Sequence, residues 1–144
     1  MSDLPAPIER FIMAVETRDW DGFVALLADD VVLDATVPEW RYQLEGPAVA
    51  EELRSWTAGH PWQVTEHRFS PTPDGGVLEL QLHGDCPGDG DHTPHEEMSR
   101  QAAVFTLRDG LVVEFRLYCA GEWNEEVIAR IAADAPKMSR NRVG

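Results

Sequence analysis

The hydrophobic pattern of this chain changes its period at Pro61, and that change limits the folds that the chain can adopt. Before Pro61, apolar residues recur every three or four positions, as in residues 8–15, which is typical of one face of an amphipathic helix. After Pro61, apolar and polar residues alternate, as in residues 77–83, which is typical of a strand with one buried face. Helices followed by a long run of antiparallel strands predict an α+β protein.

The same pattern predicts the individual elements. Helices are predicted at residues 8–15, at 20–27, from Pro47 towards Pro61, and at Glu122–Ala133. Strands are predicted at Val31–Val37, 62–69, Val77–His83, Arg100–Leu107 and Leu111–Cys119, with a loop at Gly84–Pro94. The pair Asp109-Gly110 is a strong hairpin signal between the last two strands. A twisted, mostly antiparallel sheet wrapped around helices encloses a cone-shaped space, so we expect a pocket for a small molecule.

Length, composition and charge fit one cytoplasmic domain. The chain has 144 residues, of which 43% are apolar, so we expect one domain over residues 1–144, with its core at about 8–134 and a flexible tail at 135–144. No apolar run approaches the roughly 18 residues of a membrane span, and the first residues lack the pattern of a secretory signal. The net charge of −14 repels phosphate groups and anionic lipids, which argues against nucleic-acid and membrane partners.

Cysteine and histidine spacing predicts no metal site. Cys86 and Cys119 lack CxxC spacing, so we expect free thiols in a reducing compartment, with a disulfide or a nucleophilic cysteine as the alternatives. Residues 85–97 are rich in acidic groups and include His92 and His95, but their spacing matches neither a calcium-binding loop nor a helix-borne zinc motif. We therefore expect no metal.

Several segments of the chain carry a resemblance to a known family: the helical runs at residues 8–15 and 19–30, Val31-Val-Leu-Asp34, Gly46-Pro-Ala-Val-Ala50, and the hairpin at residues 104–116. Together they resemble the nuclear transport factor 2-like superfamily, and within it the SnoaL-like polyketide cyclases. The resemblance covers roughly residues 8–120 and implies a curved sheet around N-terminal helices. Because this fold carries many chemistries, the resemblance alone does not assign a reaction.

One branch of the superfamily, the ketosteroid isomerases, can be compared residue by residue. That family places a tyrosine in the first helix, a basic aspartate after the first strand and a protonated aspartate in a late strand. The matching positions here hold Phe11, Ala35 and Ala103, so the chemistry of that family has no support. The resemblance instead implies a small enzyme that acts without a cofactor on an apolar metabolite, by cyclisation, isomerisation, dehydration or epoxide opening. The alternative is a non-catalytic ligand-binding or dimerisation module.

Asp34 and His67 are the predicted catalytic residues. Asp34 is the carboxylate nearest to the family's catalytic position, and beside an apolar cavity it would act as a general acid or base. Strand alternation could instead send Leu33 and Ala35 inward and leave Asp34 outside. His67 lies in a strand that we expect to line the cavity, but the alternation leaves open whether Glu66 or His67 points inward.

The apolar strand faces and the aromatic residues near the third helix predict the walls of the pocket. Large rings suit an extended apolar ligand, with Tyr42 as a polar contact. The opposite, polar strand faces predict a homodimer interface through Glu79, Gln81, His83, Arg116 and Tyr118. The predicted ligand-contacting residues are Phe11, Trp40, Tyr42, Trp56, Trp62, Leu80, Leu82, Phe105, Phe115 and Leu117.

Overall fold

A curved six-stranded sheet wraps around the N-terminal helices in the computed structural model, which describes residues 3–56, 62–86 and 94–140. The helices are α1 (Ala6–Thr17), α2 (Trp20–Val24), α3 (Pro47–Ser55) and α4 (Glu125–Arg140). The strands are β1 (Leu27–Val37), β2 (Trp40–Glu45), β3 (Gln63–Thr72), β4 (Gly75–Cys86), β5 (His95–Arg108) and β6 (Leu111–Cys119). The α+β fold expected from the change of period is confirmed.

The strand order in the sheet is β2-β1-β6-β5-β4-β3. Neighbouring strands are antiparallel except β1 and β6, which run parallel. Residues that pair directly across two strands share a face of the sheet. We call the face that carries Leu33, Leu78 and Phe115 the inner face, and the face that carries Asp34, Glu79, Arg116 and Tyr118 the outer face.

Helix α1 supplies the apolar stripe that the inner face covers. Ile8, Phe11 and Ala14 are at most 1% exposed. Pro7 occupies the first turn, where the missing N–H costs no hydrogen bond. The helix ends at Arg18, whose backbone is left-handed and whose N–H donates to the carbonyl oxygen of Ala14.

An aromatic cluster joins the helices to the sheet. The ring of Phe11 makes edge-to-face contacts with Phe23 and Phe105, at centroid distances of 5.2 and 5.5 Å. Phe105 and Phe115, which pair across β5 and β6, stack at 5.9 Å. Because α1, α2, β5 and β6 all contribute rings, this cluster fixes the helices against the inner face.

Several predicted boundaries are wrong. Strand β2 was not predicted, and β1 begins at Leu27, which the sequence assigned to a helix. Strand β5 begins at His95 rather than at residue 100. Helix α4 continues to Arg140, so the tail expected from residue 135 is helical up to that point, and residues 141–144 lie outside the described part.

The hairpin between β5 and β6 is confirmed. Asp109 and Gly110 both have positive φ, at 55° and 79°, as a two-residue turn between twisted strands requires. None of the helices in the described ranges is long and apolar enough to cross a membrane.

Candidate functional site

A cavity of about 260 Å³ lies between the ends of α1 and α3 and the inner face of the sheet. Most of the side chains in its walls are apolar or aromatic. Apart from the N–H groups of the tryptophan rings, the polar groups in the walls belong to four side chains: Arg18, Tyr42, Gln101 and Cys119. The lining residues are Phe11, Val15, Arg18, Trp20, Ala35, Val37, Tyr42, Trp56, Trp62, Leu82, Gln101, Leu117 and Cys119. This composition is typical of a small-molecule site.

The aromatic end of the cavity is held by packing between helices. Trp20 at the start of α2 and Trp56 at the end of α3 make an edge-to-face contact with ring centroids 5.1 Å apart. Trp20 also contacts Phe11 at 5.7 Å. Since each ring is fixed by a neighbour, the cavity wall is formed before any ligand binds.

Six of the ten predicted ligand-contacting residues line this cavity: Phe11, Tyr42, Trp56, Trp62, Leu82 and Leu117. The prediction that Leu80, Phe105 and Phe115 do so is corrected, because these side chains are buried in the core and do not reach the cavity. Trp40 is also outside it and is 67% exposed. The prediction that Leu80, Leu82, Phe105, Phe115 and Leu117 share one face is confirmed by the strand register.

A polar group on the inner face centres on Gln101 and Cys119, which pair across β5 and β6. The Cys119 sulfur accepts hydrogen bonds from Gln101 Nε2 at 3.7 Å and from the Gly121 N–H at 3.4 Å, and it is 3.7 Å from Ser99 Oγ. The amide of Gln101 is therefore oriented at the cavity wall, with one N–H used by the sulfur. Cys119 is a free thiol, as expected, and the side chain of Cys86 lies outside the described residues.

Tyr42 is the polar side chain that β2 contributes to the cavity. Burial raises the pKa of its hydroxyl, and the nearby carboxylate of Glu52 raises it further. Since both effects favour the neutral form, Tyr42 is a hydrogen-bond donor at neutral pH.

Asp34 lies on the outer face, so the expectation that it borders the cavity is wrong and the outward alternative is correct. Arg41 binds its carboxylate with two hydrogen bonds of 2.9 and 2.6 Å, and Gln43 donates a third at 3.1 Å. The hydrogen bonds from Arg41, opposed by burial and helped by Gln43 and Arg116, lower the pKa of Asp34 to about 2. A carboxylate held in this way is ionised at neutral pH and is a weak base.

His67, rather than Glu66, pairs with an inner-face residue. His67 pairs with Leu80, whereas Glu66 pairs with Gln81 on the outer face, after an irregularity in β3 between Val64 and Glu66. His67 is nevertheless exposed, and it does not line the cavity. Its catalytic role stays a prediction without support from its position.

The start of β5 carries an acid–base pair that the sequence analysis does not predict. His95 Nε2 lies 2.8 Å from Glu97 Oε1, and both residues are on the inner face of β5. Glu97 is two residues from Ser99, which pairs with the cavity-lining Leu82, so Glu97 lies roughly 7 Å along the strand from the cavity. His95, Glu97 and Ser99 are spaced two residues apart, as side chains on one face of a strand are. This spacing could have extended the predicted strand back from residue 100 to His95.

One group of potential metal ligands occurs in the described ranges. Ligand atoms of His83, Asp85 and Glu96 all lie within 4.8 Å of one another, on the outer face. Asp85 and Glu96 are exposed and His83 is partly buried. None of the three residues lines the cavity. The loop that contains His92, for which the sequence predicts no metal site, lies outside the described residues.

Solved structures share this fold. A candidate polyketide cyclase from Xanthomonas campestris is similar with a TM-score of 0.62 and 24% identity, over 87% of this chain and 93% of that one. A candidate polyketide cyclase from Pseudomonas putida gives a TM-score of 0.63 and 18% identity, over 87% and 95%. A nuclear transport factor 2-like protein from Anabaena variabilis gives 0.62 and 18%, over 80% and 84%.

Sequence comparison identifies the family. A search of curated proteins found no match. The family model of the SnoaL-like domain matches residues 8–115, which include the first three helices and most of the sheet. The chain therefore belongs to the SnoaL-like domain family.

Proposed function

We propose that this chain is a cofactor-independent enzyme that binds an apolar metabolite in the cavity and acts on it by acid–base chemistry. The observation that carries the proposal is the cavity wall, in which aromatic and aliphatic side chains surround a few oriented polar groups. The candidate cyclases of the same fold support a biosynthetic role.

Tyr42 and Gln101 are the proposed contacts to an oxygen atom of the substrate. Tyr42 stays protonated because burial raises its pKa, and Gln101 retains a second amide N–H beyond the one that binds Cys119. Donors held at an apolar wall stabilise negative charge that develops on a carbonyl oxygen during proton removal. Water exclusion by the surrounding rings strengthens these hydrogen bonds.

His95 is the proposed base, with Glu97 as its partner. The carboxylate of Glu97 fixes the imidazole at 2.8 Å and stabilises the imidazolium that forms when the ring accepts a proton. Gly84, which has no side chain, pairs with Glu97 across β4 and β5, and the Glu97 side chain is 15% exposed. The proposed role requires a ligand that extends past Leu82, roughly 7 Å along the strand, towards the pair.

The alternative is a ligand-binding domain without catalysis. A specific observation favours it: the described residues that line the cavity include no aspartate, glutamate or histidine. Under this alternative, the cavity binds the same class of apolar molecule, and His95 and Glu97 only stabilise the start of β5.

A cavity-filling variant tests the ligand site. Ala35 is 1% exposed and lines the cavity, whereas Ala102 lies on the outer face. We expect Ala35→Leu to abolish binding of the neutral fluorescent probe N-phenyl-1-naphthylamine, and the matched control Ala102→Leu to leave it unchanged. Unaltered binding by Ala35→Leu, or no binding by the wild type, would contradict the proposal.

Hydrogen–deuterium exchange of a bound ketone then distinguishes the proposed enzyme from the non-catalytic alternative. We expect the wild type to accelerate loss of the α-proton signals of 2-tetralone in D₂O, followed by NMR, and His95→Gln to slow that exchange. Competition between 2-tetralone and the fluorescent probe establishes that the ketone occupies the cavity. Occupancy without accelerated exchange would favour the non-catalytic alternative.

A further inference from the structure

We propose that the cavity ligand carries an anionic group, such as a carboxylate, and that Arg18 binds it. This inference rests on the proposed function, because it assigns the chemistry of the molecule that the cavity holds. Among the described residues that line the cavity, Arg18 is the one with a formal charge. It lies at the end of α1, and the aromatic rings of Trp20 and Trp56 line the same cavity.

The guanidinium of Arg18 has no hydrogen-bond or ion-pair partner in the part of the chain that the structure describes. The chain has 26 acidic residues for 12 basic ones, and five of the nine arginines with described side chains pair with a carboxylate. Such ion pairs are made by Arg41, Arg54, Arg68, Arg108 and Arg116. Arg18 is half-buried all the same, and its charge gains no protein partner among the described residues.

The backbone of Arg18 strengthens the case for a role of its side chain. Its φ of 62° and ψ of 19° are left-handed, at the position where helices most commonly place glycine. Glycine adopts this conformation without a steric cost, whereas a Cβ makes it unfavourable. The backbone conformation at position 18 would by itself favour glycine. A role of the side chain in ligand binding would explain why the residue is arginine.

Because the whole chain is strongly acidic, an anionic ligand would need a cationic side chain at its binding site. A net charge of −14 repels an anion at long range. A guanidinium can offset that repulsion through two parallel hydrogen bonds to one carboxylate. With the anionic group at Arg18 and another oxygen at Tyr42 or Gln101, the apolar body of the ligand would lie across the cavity in one orientation.

Two probes that share a scaffold test the inference. N-phenyl-1-naphthylamine is neutral, and 1-anilinonaphthalene-8-sulfonate adds one sulfonate to the same rings. We expect Arg18→Met to weaken binding of the sulfonate about tenfold or more, as loss of a charge-assisted hydrogen bond does, and to leave binding of the neutral probe within about twofold. Arg18→Gly, which suits the left-handed backbone, should give the same result. The control Arg54→Met, at an arginine paired with Asp21 outside the cavity, should alter neither affinity.

The outcomes distinguish this inference from the proposed function. If the neutral probe binds in the cavity and both Arg18 variants leave sulfonate affinity unchanged, the inference is wrong while the proposed function stands. An equal loss of affinity for both probes would make Arg18 a packing residue and would also overturn the inference. If the wild type binds neither probe, the proposed function fails and the inference fails with it.

Discussion

Replacing Asp34 by asparagine should destabilise the fold without affecting the cavity. The ion pair with Arg41 and the hydrogen bond from Gln43 lower the pKa of Asp34 from 3.8 to about 2. At about 1.4 kcal/mol for each pKa unit, the full shift corresponds to roughly 2.5 kcal/mol of folding free energy. Because the Arg41 side chain is 64% exposed, solvent screens the pair, and we expect a loss of about 1 kcal/mol at pH 7.

The pH dependence identifies the cause of that loss. The pKa of Asp34 is lower in the folded state, so its contribution is present above the unfolded pKa and disappears as pH falls from about 4 to about 2. Urea unfolding of the wild type and of Asp34→Asn should therefore differ most at neutral pH and converge in acid. The matched control is Asp30→Asn, which breaks the exposed pair with Arg108 and should cost less than about 0.5 kcal/mol.

Two results would refute this account of Asp34. One is equal stability of Asp34→Asn and the wild type at pH 7. The other is a large loss of turnover or of probe binding in Asp34→Asn, which would restore the catalytic role expected from the sequence. A double-mutant cycle with Arg41→Gln measures the coupling of the pair directly.

Three further changes test packing, backbone geometry and assembly. Phe11→Ala removes a ring that contacts Phe105 and should cost about 3–5 kcal/mol in urea unfolding, and a loss below 1 kcal/mol would contradict the packing described above. A Cβ at Gly75 would overlap the Phe105 carbonyl oxygen, so Gly75→Ala should lower the Tm, whereas Gly110→Asn, in an open left-handed turn, should not. Tyr118→Glu, on the outer face, should convert the predicted homodimer to a monomer in light scattering, and a monomeric wild type at micromolar concentration would refute the dimer.

The fold follows from local patterns that the chain carries throughout. The change of period at Pro61 and the Asp109-Gly110 turn predicted the class and one hairpin correctly. Strand β2 was missed although its residues alternate, because Trp40 and Tyr42 were interpreted only as aromatic groups near a helix. Leu27 was assigned to a helix because its spacing from Trp20 fits a helical stripe, and packing against β6 overrides that preference.

The site was only partly predictable, since strand alternation does not say what covers each inner-face position. Leu80 and Leu82 are equivalent in the sequence pattern, but Leu82 lines the cavity and Leu80 is buried in the core. The orientation of His67 depends on the irregularity after Val64, which shifts the alternation by one residue. Arg18 lies outside every predicted element, and no sequence signal marked it as part of the cavity.

A crystal structure of the chain with bound N-phenyl-1-naphthylamine tests the central claim most directly. Besides the inner cavity, the described residues form a depression of about 320 Å³ around Glu79, Arg100 and Tyr118. We expect density for the probe in the inner cavity, in contact with Leu82 and Leu117. Density confined to the depression around Tyr118, with the inner cavity unoccupied by the probe, would contradict the assignment of this cavity as the ligand site.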